Sequence, residues 1–477
     1  MAAPILVIAA DDDWPTDRVV TELQRHGAEV FRMDTADFPQ RLSLAGRIDQ
    51  EAAWTGGLST EHRAVDLVRV GAVYYRSPGA FRFPDGLSGP EERFAASQAR
   101  AGLGGILSSL AADVAHPGSD WWEPVRGTPR HVLVERWFEP GGGGWQAVDG
   151  PADEEGWAGA VYADRTLVTK VGATHADRAD PERVVTGHPT SSSTAPGLVV
   201  SMLRHGRLMP GHRLLDLATG SGYSAALACH RLGDDRLVTT LDVDPYLTRA
   251  AAERLDRISR HPVVVTADGT GELPGIFDRI VSMVSVPRIP ASWLAALAPG
   301  GRLVTTITGT GLIITADKTE DGGARGRVEW DRAAFMATRT GDAYPPPLNE
   351  LFASSSEEDG ETSVSPFPVL DVMRAWEVWS TLTLLAPGIE HRTGTGPGGS
   401  RMAWMLHPDG SWARATTHPG DHTATVHQGG PRRLYDLLDG VRWRWIEEGE
   451  LPVYGAEVTV TPEGVTTLAR GGWTAVL

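Results

Sequence analysis

Short apolar runs alternate with an amphipathic stretch in the first part of the chain. Residues 4–10 (PILVIAA) and 28–34 (AEVFRMD) are typical of strands, and residues 16–27 between them repeat apolar positions at helical spacing and end in glycine. Residues 70–84 add a strand that runs into a proline-rich turn, and residues 90–110 predict a helix with an acidic first turn. The pattern predicts a first α/β unit.

Five further strand candidates follow one another in the middle of the chain, with helical stretches between the first of them. They are RLLDLA (213–218), LVTTLDVD (237–244), PVVVTAD (262–268), DRIVSMVS (278–285) and GRLVTTIT (301–308). Strands that alternate with helices indicate a parallel, doubly wound sheet.

The last part of the chain has a different pattern. Polar residues 351–366 predict a linker and are the best candidate for disorder. Short alternating segments with turns at 407–412 and 461–465 then indicate a small, mainly β region. Helices are expected around 369–379 and 431–440.

Two tryptophans, Trp443 and Trp445, lie in the sequence VRWRWIEEG. Two interpretations are open: a packed face of a strand, or a patch that binds peptide. The patterns together predict three domains, over residues 1–120, 121–340 and 341–477.

The net charge of the chain limits the classes of partner that it can bind. The 477 residues include 44 Lys+Arg and 61 Asp+Glu, a net charge of −17, which disfavours nucleic acid and anionic membrane surfaces as partners. No apolar run approaches the roughly 18 residues of a membrane span, and the N-terminus lacks a basic region, so we expect a cytoplasmic protein. The single cysteine, Cys229, excludes a Cys-based metal cluster, and no metal site is expected.

Candidate chemistry begins at residues 212–228, HRLLDLATGSGYSAALA, where a strand, a glycine loop and a helix follow one another. Such loops let the backbone approach a nucleotide-like ligand at a helix N-terminus. The loop lacks the full G-x-G-x-x-G pattern of dinucleotide enzymes. An acid, Asp216, precedes it, and Asp242 and Asp268 end the next two strands.

Acids at three strand ends suit a positively charged ligand. S-adenosyl-L-methionine carries an ammonium, a sulfonium and ribose hydroxyls, and we predict it as the cofactor. We expect the loop and Asp216 to hold its methionine portion, Asp242 its ribose, and Asp268 with Gly269 its adenine edge. The predicted cofactor-binding residues are Asp216, Ala218, Thr219, Gly220, Ser221, Gly222, Asp242, Asp268 and Gly269.

Six motifs between residues 125 and 310 resemble, in the same order, those of protein-L-isoaspartate O-methyltransferases. They are TPRHVLV, VYADRTLVTKV, TSSSTAPGLV, LLDLATGSGY, VVVTADGT and FDRIVSMVSVPRIP. The resemblance implies an α/β fold with a class I, Rossmann-like methyltransferase core. It also implies transfer of a methyl group from S-adenosylmethionine to a peptide carboxylate.

By this resemblance, the family's substrate-side serine falls on Thr194, and Ser193 beside it is the alternative; both are candidate catalytic residues. A second interpretation is open, in which the Ser/Thr cluster only caps the following helix. Three features depart from the family. Ala218 replaces the usual first loop glycine, the residues after Pro196 lack the family's usual histidine, and residues 172–188 are longer and more charged than a minimal member needs.

Residues 1 to about 118 resemble the N-terminal domain of the ATP-grasp ligases that mature ribosomal peptides. No lysine occurs before Lys170 and no Walker A sequence is present, so this pre-ATP-grasp-like domain is predicted to be non-catalytic. The β-rich C-terminal domain is a candidate for peptide recognition.

The two resemblances together are similar to the methyltransferases of ATP-grasp peptide (graspetide) systems. They imply methylation of an aspartate in a ligase-crosslinked peptide, followed by aspartimide formation. The implied partners are a peptide precursor and its cognate ATP-grasp ligase. Two alternatives are a general isoaspartate repair enzyme and a non-catalytic peptide-binding protein with a degenerate methyltransferase fold.

Overall fold

The structure is a computed structural model whose contacts divide the chain into two compact units, Met1–Asp113 and Val114–Leu477. The residues that it describes are 4–11, 13–48, 54–76, 81–84, 91, 95, 119–339, 347–448 and 451–477.

The first unit contains a parallel sheet in the order β2-β1-β6 and an antiparallel sheet in the order β3-β4-β5. The predicted early strands and helix are confirmed, whereas the helix predicted at 90–110 lies outside the described residues except for residues 91 and 95. Leu6, Ile8 and Phe31 form the core between the elements. The elements are β1 (Ile5–Ala9), α1 (Trp14–Arg25), β2 (Val30–Met33), β3 (Ser43–Ile48), β4 (Trp54–Ser59), β5 (Ala64–Asp66) and β6 (Ala72–Arg76).

The second unit is built on a sheet of ten described strands in the order β15-β14-β13-β16-β17-β18-β19-β25-β26-β27. The five strands predicted in the middle of the chain are its parallel part, as expected. Its strands are β13 (Leu214–Leu217), β14 (Val238–Asp242), β15 (Val263–Thr266), β16 (Phe277–Val286), β17 (Leu297–Ile307), β18 (Leu312–Lys318), β19 (Ala324–Arg332), β25 (Glu457–Val460), β26 (Thr466–Arg470) and β27 (Trp473–Val476).

Apolar clusters cover both faces of this sheet. Leu214 belongs to one cluster and Leu215 to the other, because successive side chains of a strand point to opposite faces. The nearby helices are α5 (Pro196–His205), α6 (Tyr223–Leu232), α7 (Pro245–Arg257) and α8 (Ala291–Ala296).

A smaller sheet precedes the ten-stranded one, in the order β10-β9-β7-β8-β11, with β12 also paired to β9. This pairing places residues 190–193 of the Ser/Thr cluster on a strand. The elements are α2 (Trp122–Arg126), α3 (Arg130–Leu133), β7 (Arg136–Gly141), β8 (Gly144–Asp149), α4 (Glu154–Tyr162), β9 (Leu167–Val171), β10 (Thr174–His175), β11 (Val184–Val185) and β12 (Pro189–Ser193).

The C-terminal region forms an antiparallel sheet in the order β20-β24-β23-β22-β21. Helices α10 and α11 pack on one cluster of its side chains and α9 on another. The strands that follow, β25 to β27, join the ten-stranded sheet, a long-range pairing that the predicted division at residue 341 does not include. The elements are α9 (Asn349–Glu357), β20 (Glu361–Ser365), α10 (Trp376–Leu385), β21 (Glu390–Thr395), β22 (Arg401–Leu406), β23 (Trp412–Thr417), β24 (Ala424–Gly429) and α11 (Leu434–Glu448).

The prediction of a disordered linker at 351–366 is wrong, because these residues form most of α9 and all of β20. Phe352 packs against Trp404 with ring centroids 5.1 Å apart, and Arg414 donates a 3.0 Å hydrogen bond to the carbonyl of Ser355. The polar composition of this segment gave no sign that Phe352 packs on the sheet or that the Ser355 carbonyl accepts a hydrogen bond from it.

The prediction of a strand around Trp443 and Trp445 is also wrong, because both lie on α11. Their side chains are 47% and 40% exposed, so neither is packed in a strand face. None of the described helices is both long and apolar enough to cross a membrane.

Candidate active site

A cavity of about 640 Å³ lies at the carboxyl ends of β13, β14 and β15. In open α/β sheets, ligands bind at this edge, and the volume is within the range of small-molecule sites. The structure brings together nine of the eleven predicted site residues along its wall: Ser193, Thr194, Ala218, Thr219, Gly220, Ser221, Asp242, Asp268 and Gly269.

The glycine loop turns sharply because three of its residues have positive φ. Ala218 has φ +73°, Gly220 +51° and Gly222 +86°. A Cβ atom on Gly220 would lie 3.3 Å from the carbonyl oxygen of Ser192, closer than ordinary contact. Because its φ is +73°, Ala218 adopts the left-handed backbone that glycine favours, at a conformational cost of about 1–2 kcal/mol. Gly222 does not line the cavity and instead begins α6.

Asp216 lies beneath the loop and does not line the cavity. Its Oδ2 accepts hydrogen bonds of 2.8 Å from the hydroxyls of Ser224 and Thr240, whereas Oδ1 has no hydrogen-bond partner. Burial raises the pKa of Asp216 to about 7. Asp216 therefore binds α6 and β14 through these two hydroxyls. It does not reach the cavity, where we expected it to contact the ligand.

Asp242 lines the cavity at the end of β14. Its Oδ2 accepts from the Gly220 N–H and its Oδ1 from the Asp244 N–H, both at 3.1 Å. Burial raises the pKa of Asp242 against these hydrogen bonds. The carboxylate thereby holds the glycine loop and leaves acceptor capacity for a ligand diol.

Asp268 and Gly269 form a turn at the end of β15. One oxygen of Asp268 accepts from the N–H and the hydroxyl of Thr270, at 2.9 and 2.7 Å. The Gly269 carbonyl accepts a 2.6 Å hydrogen bond from the indole of Trp293, which also lines the cavity. The other Asp268 oxygen carries none of these bonds, so it is available to a ligand amino group.

Ser193 ends β12 beside the glycine loop, and Thr194 follows it. The Ser221 hydroxyl donates to Ser193 Oγ at 3.1 Å, which joins the two predicted parts of the site. The interpretation of this cluster as a helix cap is wrong: α5 is capped at Ala195 without a side-chain hydrogen bond, and the Gly197 N–H donates instead to Asp164, at 2.7 Å. The hydroxyls are therefore not used by the helix.

Sequence reasoning missed Arg130, which is buried and holds the Ser/Thr segment in place. Its guanidinium donates to the carbonyls of Ser193 and Thr194, at 3.0 and 3.1 Å, and to Ser193 Oγ, at 3.3 Å. A further hydrogen bond reaches the carbonyl of Val161 at 2.8 Å. Burial lowers the pKa of Arg130 to about 10, so the side chain stays charged at neutral pH.

A second missed group lies at the mouth of the cavity. Lys170 donates to Asp244 Oδ2 at 2.8 Å, and His175 Nε2 lies 3.2 Å from the same oxygen. Burial opposes ionisation of Asp244, but hydrogen bonds from Lys170 and the Tyr246 N–H outweigh it and lower its pKa. In the sequence, only the charge of the segment 172–188 signalled His175.

A third missed segment, residues 334–339, closes the cavity beside β16. Its backbone is held on both sides of Ser285, whose N–H donates to the Met336 carbonyl and whose carbonyl accepts from the Thr338 N–H, both at 2.8 Å. Phe335 and Met336 line the cavity. No group of three or more potential metal ligands occurs in the described parts of the chain.

This fold is that of a class I methyltransferase. Residues 173–336 match the family model described as protein-L-isoaspartate(D-aspartate) O-methyltransferase, and residues 4–117 match the model of the MvdD pre-ATP grasp domain. A protein-L-isoaspartate O-methyltransferase of Bradyrhizobium sp. is 32% identical over 187 residues, 37% of this chain and 81% of the relative. The chain belongs to the protein-L-isoaspartate O-methyltransferase family.

Other relatives are matched over less of their length. The relative from Methanopyrus kandleri is 33% identical over 140 residues, which is 28% of this chain and 62% of that protein. The chain spans 53–62% of the length of this and four further curated relatives. A solved protein-L-isoaspartate O-methyltransferase is similar with a TM-score of 0.39 and 16% identity, over 79% of this chain and 99% of that one.

The family uses S-adenosylmethionine, as the sequence predicted. The residues of the cavity wall fit this cofactor. Asp242 and Asp268 place carboxylate oxygens at the wall, and residues 218–221 of the glycine loop line it. Asp216 is buried behind this wall, and its Oδ1 has no hydrogen-bond partner.

Proposed function

We propose that this protein is an S-adenosylmethionine-dependent O-methyltransferase that esterifies an aspartyl or isoaspartyl carboxylate of a peptide. We further propose that this peptide is ribosomally made and crosslinked. One observation carries the proposal: the hydroxyls of Ser221 and Ser193 lie 3.1 Å apart. The loop that would hold the cofactor therefore contacts the segment that would hold the carboxylate, within one cavity.

The residues that would hold the cofactor follow from the cavity wall. Asp242 would bind the ribose hydroxyls, and Asp268 with Gly269 the adenine edge. The loop at 219–222 would hold the methionine portion, and Asp216 would act only through the residues that it bonds, Ser224 and Thr240. The bound cofactor supplies a methyl group activated by a sulfonium.

The chemistry demands positioning more than acid–base catalysis. An aspartate carboxylate is ionised at neutral pH, so no general base is needed. Its oxygen forms a bond to the methyl carbon as the carbon–sulfur bond breaks and the electron pair stays on sulfur. The enzyme must hold that oxygen in line, about 3 Å from the methyl carbon. Phe335, Met336 and Trp293 line the cavity and reduce its access to water.

Ser193 is the group best placed to orient the carboxylate. Its Oγ accepts from Ser221 and from Arg130. A hydroxyl has one proton and two acceptor lone pairs, so these bonds leave the Ser193 proton to donate to a carboxylate oxygen. Arg130 fixes the same segment through carbonyl groups, which limits the motion of that hydroxyl.

The methyl ester has an intramolecular fate. The next backbone nitrogen attacks the ester carbonyl, loses its proton and expels methanol, which gives an aspartimide. The match of residues 4–117 to a pre-ATP grasp domain supports a role in peptide maturation, with a peptide precursor and its ATP-grasp ligase as partners. General isoaspartate repair is the second candidate, because the curated relatives are named protein-L-isoaspartate O-methyltransferases.

Mass spectrometry with three peptides tests the proposal. The full chain is incubated with S-adenosylmethionine and a short isoaspartyl peptide, a linear graspetide-like precursor, or that precursor after ligase crosslinking. We expect methyl gain followed by methanol loss on the crosslinked peptide, and less of both with Asp242→Ala when the cofactor is below saturation. Methylation of the isoaspartyl peptide alone favours repair. No methylation of any peptide, despite cofactor binding, contradicts the proposal and favours a binding protein.

A further inference from the structure

The mouth of the cavity carries basic side chains that the proposed methyl transfer does not use. Lys170, His175 and Arg178 line the same cavity as Ser193. The last two lie within residues 172–188, a stretch rich in charged residues. Of the three side chains, that of Arg178 is exposed, so it lies where a substrate can reach it.

Two of the three side chains add little free positive charge. Lys170 forms a 2.8 Å ion pair with Asp244. His175 contacts the same carboxylate, and burial lowers its pKa, so its ring is neutral at neutral pH. The charge that remains at this side of the mouth is that of Arg178.

Arg178 is held by stacking. Its guanidinium carbon lies 4.2 Å from the centroid of the Tyr246 ring, and the His175 ring lies 4.1 Å from the same ring. The Tyr246 hydroxyl donates to Asp177 Oδ2 at 2.9 Å, which fixes the ring. Asp177 in turn is paired with Arg254 at 2.6 Å. Arg178 is exposed, and within the described ranges it forms no ion pair.

A guanidinium that stacks on a ring keeps its in-plane N–H donors for another partner. Those donors match the two oxygens of a carboxylate, which is the geometry that arginine favours. The chain as a whole has a net charge of −17, which repels acidic ligands. A pre-organised arginine at the mouth offsets that repulsion at one point.

We infer that Arg178, on its Tyr246 platform, binds a second carboxylate of the peptide, separate from the one that is methylated. The substrate segment then carries an acidic residue close to the reacting aspartate. This inference rests on the proposed function and adds a specificity determinant to it.

Peptide binding tests this inference without turnover. Two fluorescent peptides, each with one aspartate, differ only in having glutamate or glutamine beside it. Their affinities for the full chain saturated with S-adenosylhomocysteine are measured by anisotropy. We expect a preference for the glutamate peptide that Arg178→Gln reduces about tenfold, or about 1.4 kcal/mol. Arg178→Glu should reverse the preference.

Arg249→Gln is the matched control. Its guanidinium lies 6.0 Å from the same tyrosine ring but does not line the cavity, so the preference should persist. Equal binding of the two peptides by the wild type, binding of neither, or a preference that survives Arg178→Gln would overturn the inference. A preference that depends on Arg178 without any methyl transfer would refute the proposed function alone.

Discussion

Replacing Asp216 with asparagine tests whether this buried acid titrates as its surroundings require. Its side chain is fully buried, and burial raises its pKa from 3.8 to about 7. A shift of this size corresponds to about 4 kcal/mol between the two protonation states. The asparagine carbonyl can still accept from Ser224 and Thr240, whereas the amide does not titrate.

The sign follows from proton binding. Between about pH 4 and pH 7 the native state holds the proton on Asp216 and the unfolded chain does not, so the free energy of unfolding falls as pH rises. The loss of unfolding free energy caused by Asp216 is absent below about pH 4 and complete by about pH 8. Asp216→Asn should remove this slope, and stability relative to the wild type should therefore increase with pH.

Thermal unfolding between about pH 5 and pH 8 measures the effect. Because the chain has two compact units, the relevant transition is the one that S-adenosylmethionine shifts. Ser224→Ala serves as a control, since it removes one donor to the Asp216 carboxylate and should move the fall in stability to higher pH. Parallel pH profiles for the wild type and Asp216→Asn would refute the reasoning.

Four other substitutions probe the remaining parts of the site. Asp242→Ala should weaken S-adenosylmethionine binding by about tenfold or more in calorimetry, since hydrogen bonds to a charged group are worth about 1.5–3 kcal/mol; equal affinity would exclude the ribose assignment. Ala218→Gly should relieve the φ of +73° and stabilise the cofactor-shifted transition by up to about 1 kcal/mol, so a lower melting temperature would contradict the strain argument. Ser193→Ala should lower kcat about tenfold with little change in cofactor affinity, whereas Ser192→Ala should not; similar kcat losses in both would remove the special role of Ser193. Arg130→Met should cost about 3 kcal/mol of stability by leaving buried carbonyls unpaired, and an unchanged transition would show that they find other partners.

Local pattern was sufficient to predict the parallel sheet and most of the cavity wall. The strands that end at Asp242 and Asp268 are short apolar runs closed by an acid, and the glycine loop needs residues that accept positive φ. Because parallel strands end at one edge of a sheet, residues far apart in sequence were correctly expected to meet there.

Long-range contacts were beyond that pattern. Nothing in TPRHVLV indicates that Arg130 is buried, because an arginine is usually exposed and its six backbone and hydroxyl partners come from other elements. The pairing of β25 with β19 joins residues more than a hundred positions apart. The interpretation of Trp443 and Trp445 as a strand face was wrong because tryptophan favours strands, whereas the surrounding sequence forms a helix against the C-terminal sheet.

The most direct test of carboxyl methylation is the fate of a labelled methyl group. The full chain is given methyl-labelled S-adenosylmethionine and the crosslinked peptide, and the isolated peptide is then treated with mild base. A carboxyl methyl ester releases its label as volatile methanol, either during the incubation as the aspartimide forms or on treatment with base, and methanol collected at both stages is the predicted result. Label that remains on the peptide after base would indicate methylation at nitrogen or sulfur. Label found neither on the peptide nor as methanol, although the cofactor binds, would contradict methyl transfer itself.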